Sequence, residues 1–175
     1  MRLTGRTYAV LVADGVEDLE YWVTVMRIQE EGATVVSVGS DLDSHRGKNG
    51  LAVKADALAS DVSADRFDGI VIPGGWAPDK MRRYPAIVDL VRTINAQGKP
   101  IGIICHGGSV AISADIVSGR RVTGSLGIKD DLVNAGGTWV DEPAFRDGNQ
   151  VWGRVVADIP DFERELIALF VDSVG

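Results

Sequence analysis

The chain holds a single cysteine, Cys105, in 175 residues, and that scarcity excludes an internal disulfide. Histidine is almost as rare. His45 and His106 are the full complement, too few for a zinc site of the usual Cys/His kind. Basic charge is in deficit: 18 Lys and Arg stand against 25 Asp and Glu, a net charge of −7. Such a surface attracts neither nucleic acid nor an anionic membrane. No apolar run approaches the roughly 20 residues that cross a bilayer. Met1 to Arg6 leads into a strand without a signal-peptide cleavage pattern. These absences predict a reduced, cytoplasmic protein without metal, nucleic acid or membrane as partner.

What is present fits one α/β domain over residues 1–175, with a full-sized core. Apolar runs at Thr7–Ala13, Thr34–Val38, Asp68–Ile72 and Pro100–Cys105 predict core strands. Helices are expected at Glu17–Glu31, Pro85–Gln97, Gly107–Val117, Ile128–Ala135 and Ile159–Val171. Asp41–Lys54 is polar and glycine-containing and reads as a hairpin excursion. Short strands are expected at Arg121–Gly124 and Thr138–Val140, then a pair within Phe145–Gly153 turning at Asp147-Gly148-Asn149. Strands alternating with helices imply a mainly parallel sheet, a flavodoxin-like three-layer sandwich. Its ligands would bind beyond the carboxyl ends of the strands. The loops at 14–17, 73–76 and 105–108 fall there together.

Cys105 ends an apolar run that breaks into His106-Gly107-Gly108, a strand-to-helix turn. The first N–H groups of a helix favour a thiolate, so this is a place for a nucleophile. The hydrolase elbow pattern is half met, with Gly107 two residues after the thiol and Ile103 two before it. His106 is the histidine available for acid–base work; His45 lies in the polar hairpin. Glu17, at the start of the first helix, serves either as a helix-terminal carboxylate or as a group projecting to the thiol and sharing its proton. Pro73-Gly74-Gly75 is a turn whose Gly75 N–H, with that of His106, could form an oxyanion hole. Trp76 could wall the pocket. The acidic loop Asp14–Asp18 opposes a flavin phosphate.

Taken together, Ala13-Asp14-Gly15-Val16-Glu17-Asp18-Leu19-Glu20, Ile72-Pro73-Gly74-Gly75-Trp76-Ala77-Pro78, Ile104-Cys105-His106-Gly107 and Ile128–Gly136 resemble the PfpI family. This is the intracellular-protease branch of the ThiJ/PfpI superfamily, which is similar to class I glutamine amidotransferase domains. The resemblance runs over nearly the whole chain. It implies Cys105 at a strained nucleophile elbow, Glu17 as the carboxylate that hydrogen-bonds the thiol, and dimers or hexamers with the site near a subunit interface. It also implies that an acid after the Pro-Gly-Gly motif reaches a neighbour's histidine. Here that residue is Asp79, one methylene shorter than the family's glutamate. Gly108 departs from the family's proline after His-Gly, and Gly153-Arg154 from a Ser-Arg pair.

The activity so implied is thiolate attack on an electrophilic carbonyl without a cofactor. One form is a glyoxalase or deglycase with a stress-protective role, with Cys105 adding to the aldehyde and Glu17 or His106 moving the proton. A second is a peptidase or amide hydrolase built on Cys105, His106 and Asp79. A third is a redox sensor in which Cys105 is oxidised. Gly74, Gly75, Trp76 and Gly107 are the expected oxyanion and substrate-binding residues, and the expected ligands are small carbonyl compounds or peptides.

Overall fold

Runs of four or five apolar residues, too short for helices, make the centre of a seven-stranded sheet. The computed structural model describes residues 1–173. The strands are β1 (Thr7–Leu11), β2 (Thr34–Gly39), β5 (Ala57–Leu58), β6 (Gly69–Ile72), β7 (Ile101–Ile104), β10 (Ala144–Asp147) and β11 (Gln150–Gly153). Their order is β10-β11-β7-β6-β1-β2-β5. All pairings are parallel except the edge pair β10 and β11, joined through the expected Asp147–Gln150 turn. Every residue of β6, β7 and β11 is buried, as parallel strands covered on both faces require. The polar excursion is the antiparallel hairpin β3 (Ser44–Arg46) and β4 (Ala52–Lys54), outside the main sheet. A further small pair joins β8 (Arg121–Val122) to β9 (Thr138–Trp139).

Helices α1 (Asp18–Glu30) and α6 (Ile159–Asp172) pack together, and α6 also covers β10 and β11. Gly102 in β7 admits this: a Cβ there would stand 2.7 Å from Leu166 of α6. The other layer holds α2 (Ala77–Met81), α3 (Pro85–Ala96), α4 (Gly108–Ser113) and α5 (Lys129–Asn134). Pro85 opens α3 and Gly98, at φ +69°, closes it. Among the described residues no helix is long and apolar enough to cross a membrane.

Two elements add to those expected, and one expectation is corrected. Residues 77–81 after the Pro-Gly-Gly turn form α2, with Pro78 at its first turn. Ala57–Leu58 adds a strand at the sheet edge. The helix expected over Gly107–Val117 is shorter: a 3-10 turn at Cys105–Gly107 precedes α4, which stops at Ser113. It stops in a Schellman motif, with Asp115 N–H donating to Ile112 O at 3.0 Å and Ile116 N–H to Ala111 O at 3.2 Å. Exposed Asp115 takes the left-handed conformation, φ +58°, that this motif demands. The strain costs an L-residue about 1 kcal/mol. Asp115→Gly should therefore stabilise the fold modestly, by up to about 1 kcal/mol after glycine's unfolded-state entropy is deducted, and so raise the thermal midpoint. Calorimetry of the two proteins measures it; an unchanged or lower midpoint would show that Asp115 bears no net strain.

Candidate active site

Strand β7 delivers the chain to Cys105, where φ turns to +58°. A non-glycine residue in this region marks a constraint imposed by the surroundings. The turn is possible because Gly107 packs against the Ile72 carbonyl at the end of β6, where no side chain fits. The sulfur, half-buried, emerges between the loops that follow β1, β6 and β7. It lies in a cavity of about 440 Å³ lined by Glu17, Lys48, Gly75, Trp76, Cys105, His106, Ser125 and Val155 to Ala157.

His106 Nδ1 stands 3.4 Å from Cys105 Sγ, so the strained turn does bring adjacent side chains together. Burial lowers the basicity of this imidazole, and Lys48 lowers it further. The ring is then neutral at physiological pH, able to take a proton from the sulfur or from a bound molecule.

The carboxyl group beside the thiol belongs to Glu20, three residues beyond the expected Glu17. Glu20 is fully buried and accepts Gly74 N–H at 2.7 Å through Oε2, while Oε1 lacks a well-formed hydrogen bond. Burial pushes its pKa to about 7, opposed by the Gly74 N–H and assisted by the charge of Glu17. The sequence reading has the helix start lowering the thiol's pKa; the environment acts the other way. Burial first, then the Glu20 carboxylate, push Cys105 up to about 12, against the backbone N–H groups of His106 and Gly75, which favour thiolate. Those two N–H groups are the donors expected of an oxyanion hole.

Glu17 lies in the cavity wall, but its carboxylate is committed elsewhere. One oxygen caps α1 by accepting Glu20 N–H at 2.9 Å, and the other accepts the Asn49 side-chain amide at 2.9 Å. Its place in contact with the thiol is thus corrected to Glu20. Helix phase explains the exchange, since Glu20, Tyr21, Thr24 and Ile28 share the inward face of α1. The signal in the sequence was an acid at the third helical position, in register with that face.

Gly74 and Gly107 support the site without lining the cavity. A Cβ at Gly74 would lie 2.8 Å from Cys105 Cβ, Glu20 Oε2 and His106 N, so only glycine lets the thiol and the carboxyl approach. Trp76 stands in the wall, largely exposed. Asp79 is not in the cavity of its own chain. It pairs with Arg83 on the exposed side of α2, and His106 has no carboxylate partner among the described residues. His45 is engaged with Asp41 at 2.6 Å. Lys48, in the hairpin turn, and Ser125 are polar cavity residues that sequence reading passed over. No group of acids, histidines or the cysteine among the described residues is arranged for a metal.

Comparison with known proteins matches the DJ-1/PfpI family model over residues 6–169. The chain belongs to the DJ-1/PfpI family. It is 39% identical over 160 residues to a deglycase of Pyrococcus abyssi, covering 91% of this chain and 96% of that one. It is 34% identical over 168 residues to general stress protein 18 of Bacillus subtilis, covering 94% and 98% of the two chains. Among solved structures, a two-domain protein from Anabaena variabilis with DJ-1/ThiJ/PfpI-like and ferritin-like domains superposes at TM-score 0.91 and 36% identity. That match covers 93% of this chain and 47% of the other, so this chain spans about half of that protein's length. The flavodoxin-like fold and membership of a family with enzyme and stress-protein members are therefore established for this DJ-1/PfpI chain.

Proposed function

We propose that this chain is a cysteine enzyme acting on reactive carbonyl compounds in the manner of a glyoxalase or deglycase, without an added cofactor. The observation that carries the reading is the buried Glu20 carboxyl beside Cys105 on a strained turn, with its pKa at about 7. Such a group can hold the thiol's proton while the sulfur acts as nucleophile. The two deglycase-like requirements, a nucleophile and a second proton carrier, are met by Cys105 and His106 within 3.4 Å.

With an α-oxoaldehyde the steps balance without an external electron acceptor. The thiol proton passes to Glu20 and the sulfur bonds to the aldehyde carbon. The resulting oxyanion sits by the N–H groups of Gly75 and His106 and takes a proton, giving a hemithioacetal. His106 removes the hydrogen on that carbon as a proton and returns it to the neighbouring carbon, while the hemithioacetal hydroxyl proton passes to the former ketone oxygen, which becomes the alcohol. The C–S carbon is left as a thioester; water cleaves it to a 2-hydroxy acid and regenerates the thiol. Overall one water is added.

Incubation with methylglyoxal, with no thiol or cofactor added, is expected to yield one lactate per methylglyoxal consumed. Absence of lactate would overturn the isomerase form of the reading. A second reading, a peptidase or amide hydrolase, is favoured by one observation: His106 has no acid partner among the described residues of its own chain, while Asp79 is exposed on α2. If a neighbouring copy supplies Asp79, a fluorogenic peptide is cleaved and Asp79→Asn abolishes cleavage while sparing lactate formation. Failure of both assays, with rapid peroxide oxidation of Cys105, would favour the sensor.

A further inference from the structure

The turn at 47–50 between β3 and β4 is fastened over the Cys105 cavity by more bonds than a surface hairpin needs. Buried Asp18 accepts two of its backbone N–H groups, Asn49 at 2.6 Å and Leu51 at 2.8 Å. Glu17 accepts the Asn49 side-chain amide at 2.9 Å, and Lys48 N–H donates to Val16 O at 2.8 Å. Gly47 lies so close to the Asp18 carboxylate that a Cβ could not be placed there. Two carboxylates at the start of α1 thereby fix one backbone segment, and the side chain it presents to the cavity is Lys48. Its ammonium lies 5.8 Å from the Trp76 ring centroid and forms no ion pair among the described residues.

We infer that Lys48 is a specificity-determining residue that binds an anionic group of the substrate, so that the preferred substrates are small carbonyl compounds carrying a carboxylate or phosphate. The substrate class rests on the carbonyl reading above; the anion site does not. Two acids share the cavity region with Lys48, and neither forms an ion pair with it, although its charge is felt at Glu20. Glu17 spends both oxygens on the α1 N-terminus and the Asn49 amide. Glu20 sits behind the sulfur, bonded to Gly74. The side chains of Val155, Val156 and Ala157 in the same wall are apolar, and Ser125 adds a hydroxyl, so Lys48 is the cationic side chain among the lining residues. A point charge on a flexible stem suits either anion, carboxylate or phosphate.

Alkylation of the lone thiol tests the site without relying on turnover. Iodoacetate and iodoacetamide differ in charge and react at the same sulfur. Relative to N-acetylcysteine amide, the native protein should favour iodoacetate by 10-fold or more at low salt, with a saturable rate. Lys48→Met should erase that preference while leaving the iodoacetamide rate within about threefold, and Lys48→Arg should retain it. The preference should also shrink as salt is added. An unchanged ratio in Lys48→Met, or no preference in the native protein, overturns the anion site. In parallel, kcat/KM for 4,5-dioxopentanoate should exceed that for uncharged 2-oxopentanal about 10-fold, through KM, and Lys48→Met should level the two. Iodoacetate preference with neither oxoaldehyde turned over would refute the carbonyl reaction and keep the site. Turnover of both with no charge preference would do the reverse.

Discussion

Cys105→Ala should reduce turnover of methylglyoxal to the uncatalysed background, a loss of at least about 10⁴-fold, and leave the fold intact. Every covalent intermediate is held on this sulfur, and the chain has no other thiol to take its place. Loss of a covalent nucleophile is not recovered by the remaining positioning groups beyond a small residue of catalysis. Stability should change little. Alanine keeps the Cβ, so it inherits the φ +58° strain rather than relieving or adding to it. What it gives up is the packing of one half-buried sulfur atom, on the order of 1 kcal/mol. Lactate production and the urea midpoint, measured on one preparation, separate the two effects. Residual activity within about 10-fold of the native protein would remove Cys105 from the reaction.

The strand and helix alternation was legible because β1, β6 and β7 are short, largely apolar runs bounded by Gly, Pro or charge. Cys105 was legible for the same reason: the β7 run stops there and glycines follow. The partner of the thiol was not, because α1 carries two apolar stripes. Leu19 and Met26 point to solvent, 48% and 60% exposed, while Glu20, Tyr21, Thr24 and Ile28 face inward. Hydrophobicity alone favours the wrong stripe, and the acid on the inner one is read as surface. Lys48 was hidden differently. It lies in a polar hairpin that composition assigns to solvent, and the bonds from that turn to Asp18, Glu17 and Val16 bring it to the cavity. Local pattern reveals strands; a site assembled from three loops depends on contacts between residues about 30 to 90 positions apart, which no local period encodes.

Glu20→Gln tests both the chemistry and the electrostatics of the buried carboxyl group. The amide can still accept the Gly74 N–H and fill the same volume, so the change removes only the exchangeable proton and the charge. Activity should fall by roughly 10²- to 10⁴-fold, the range for loss of a positioned proton carrier. The pH profile should move as well. In the native protein the Cys105 and Glu20 pair must reach the state holding one proton, so kcat/KM rises as pH passes through about 7, the pKa to which burial raises Glu20. Without that carboxyl the neighbouring proton acceptor that remains is His106, whose basicity is lowered by burial, and the rise shifts well into the alkaline range. Stability has the opposite sense. Between the ordinary value of 4.5 and about 7 the folded state binds a proton on Glu20 that the unfolded chain releases. Native stability is therefore lost as pH climbs through that window, and the penalty is complete above it. Glutamine carries no such penalty. The difference in unfolding free energy, Glu20→Gln minus native, should be smallest near pH 4.5 and grow positive toward pH 8, by a few kcal/mol at most. Glu163, also pushed by burial to about 7, titrates in both proteins and cancels from the difference. A difference that stays flat from pH 4.5 to 8 would mean that Glu20 titrates as an ordinary carboxylate, and the proton it is assigned to hold would have no residence beside the thiol.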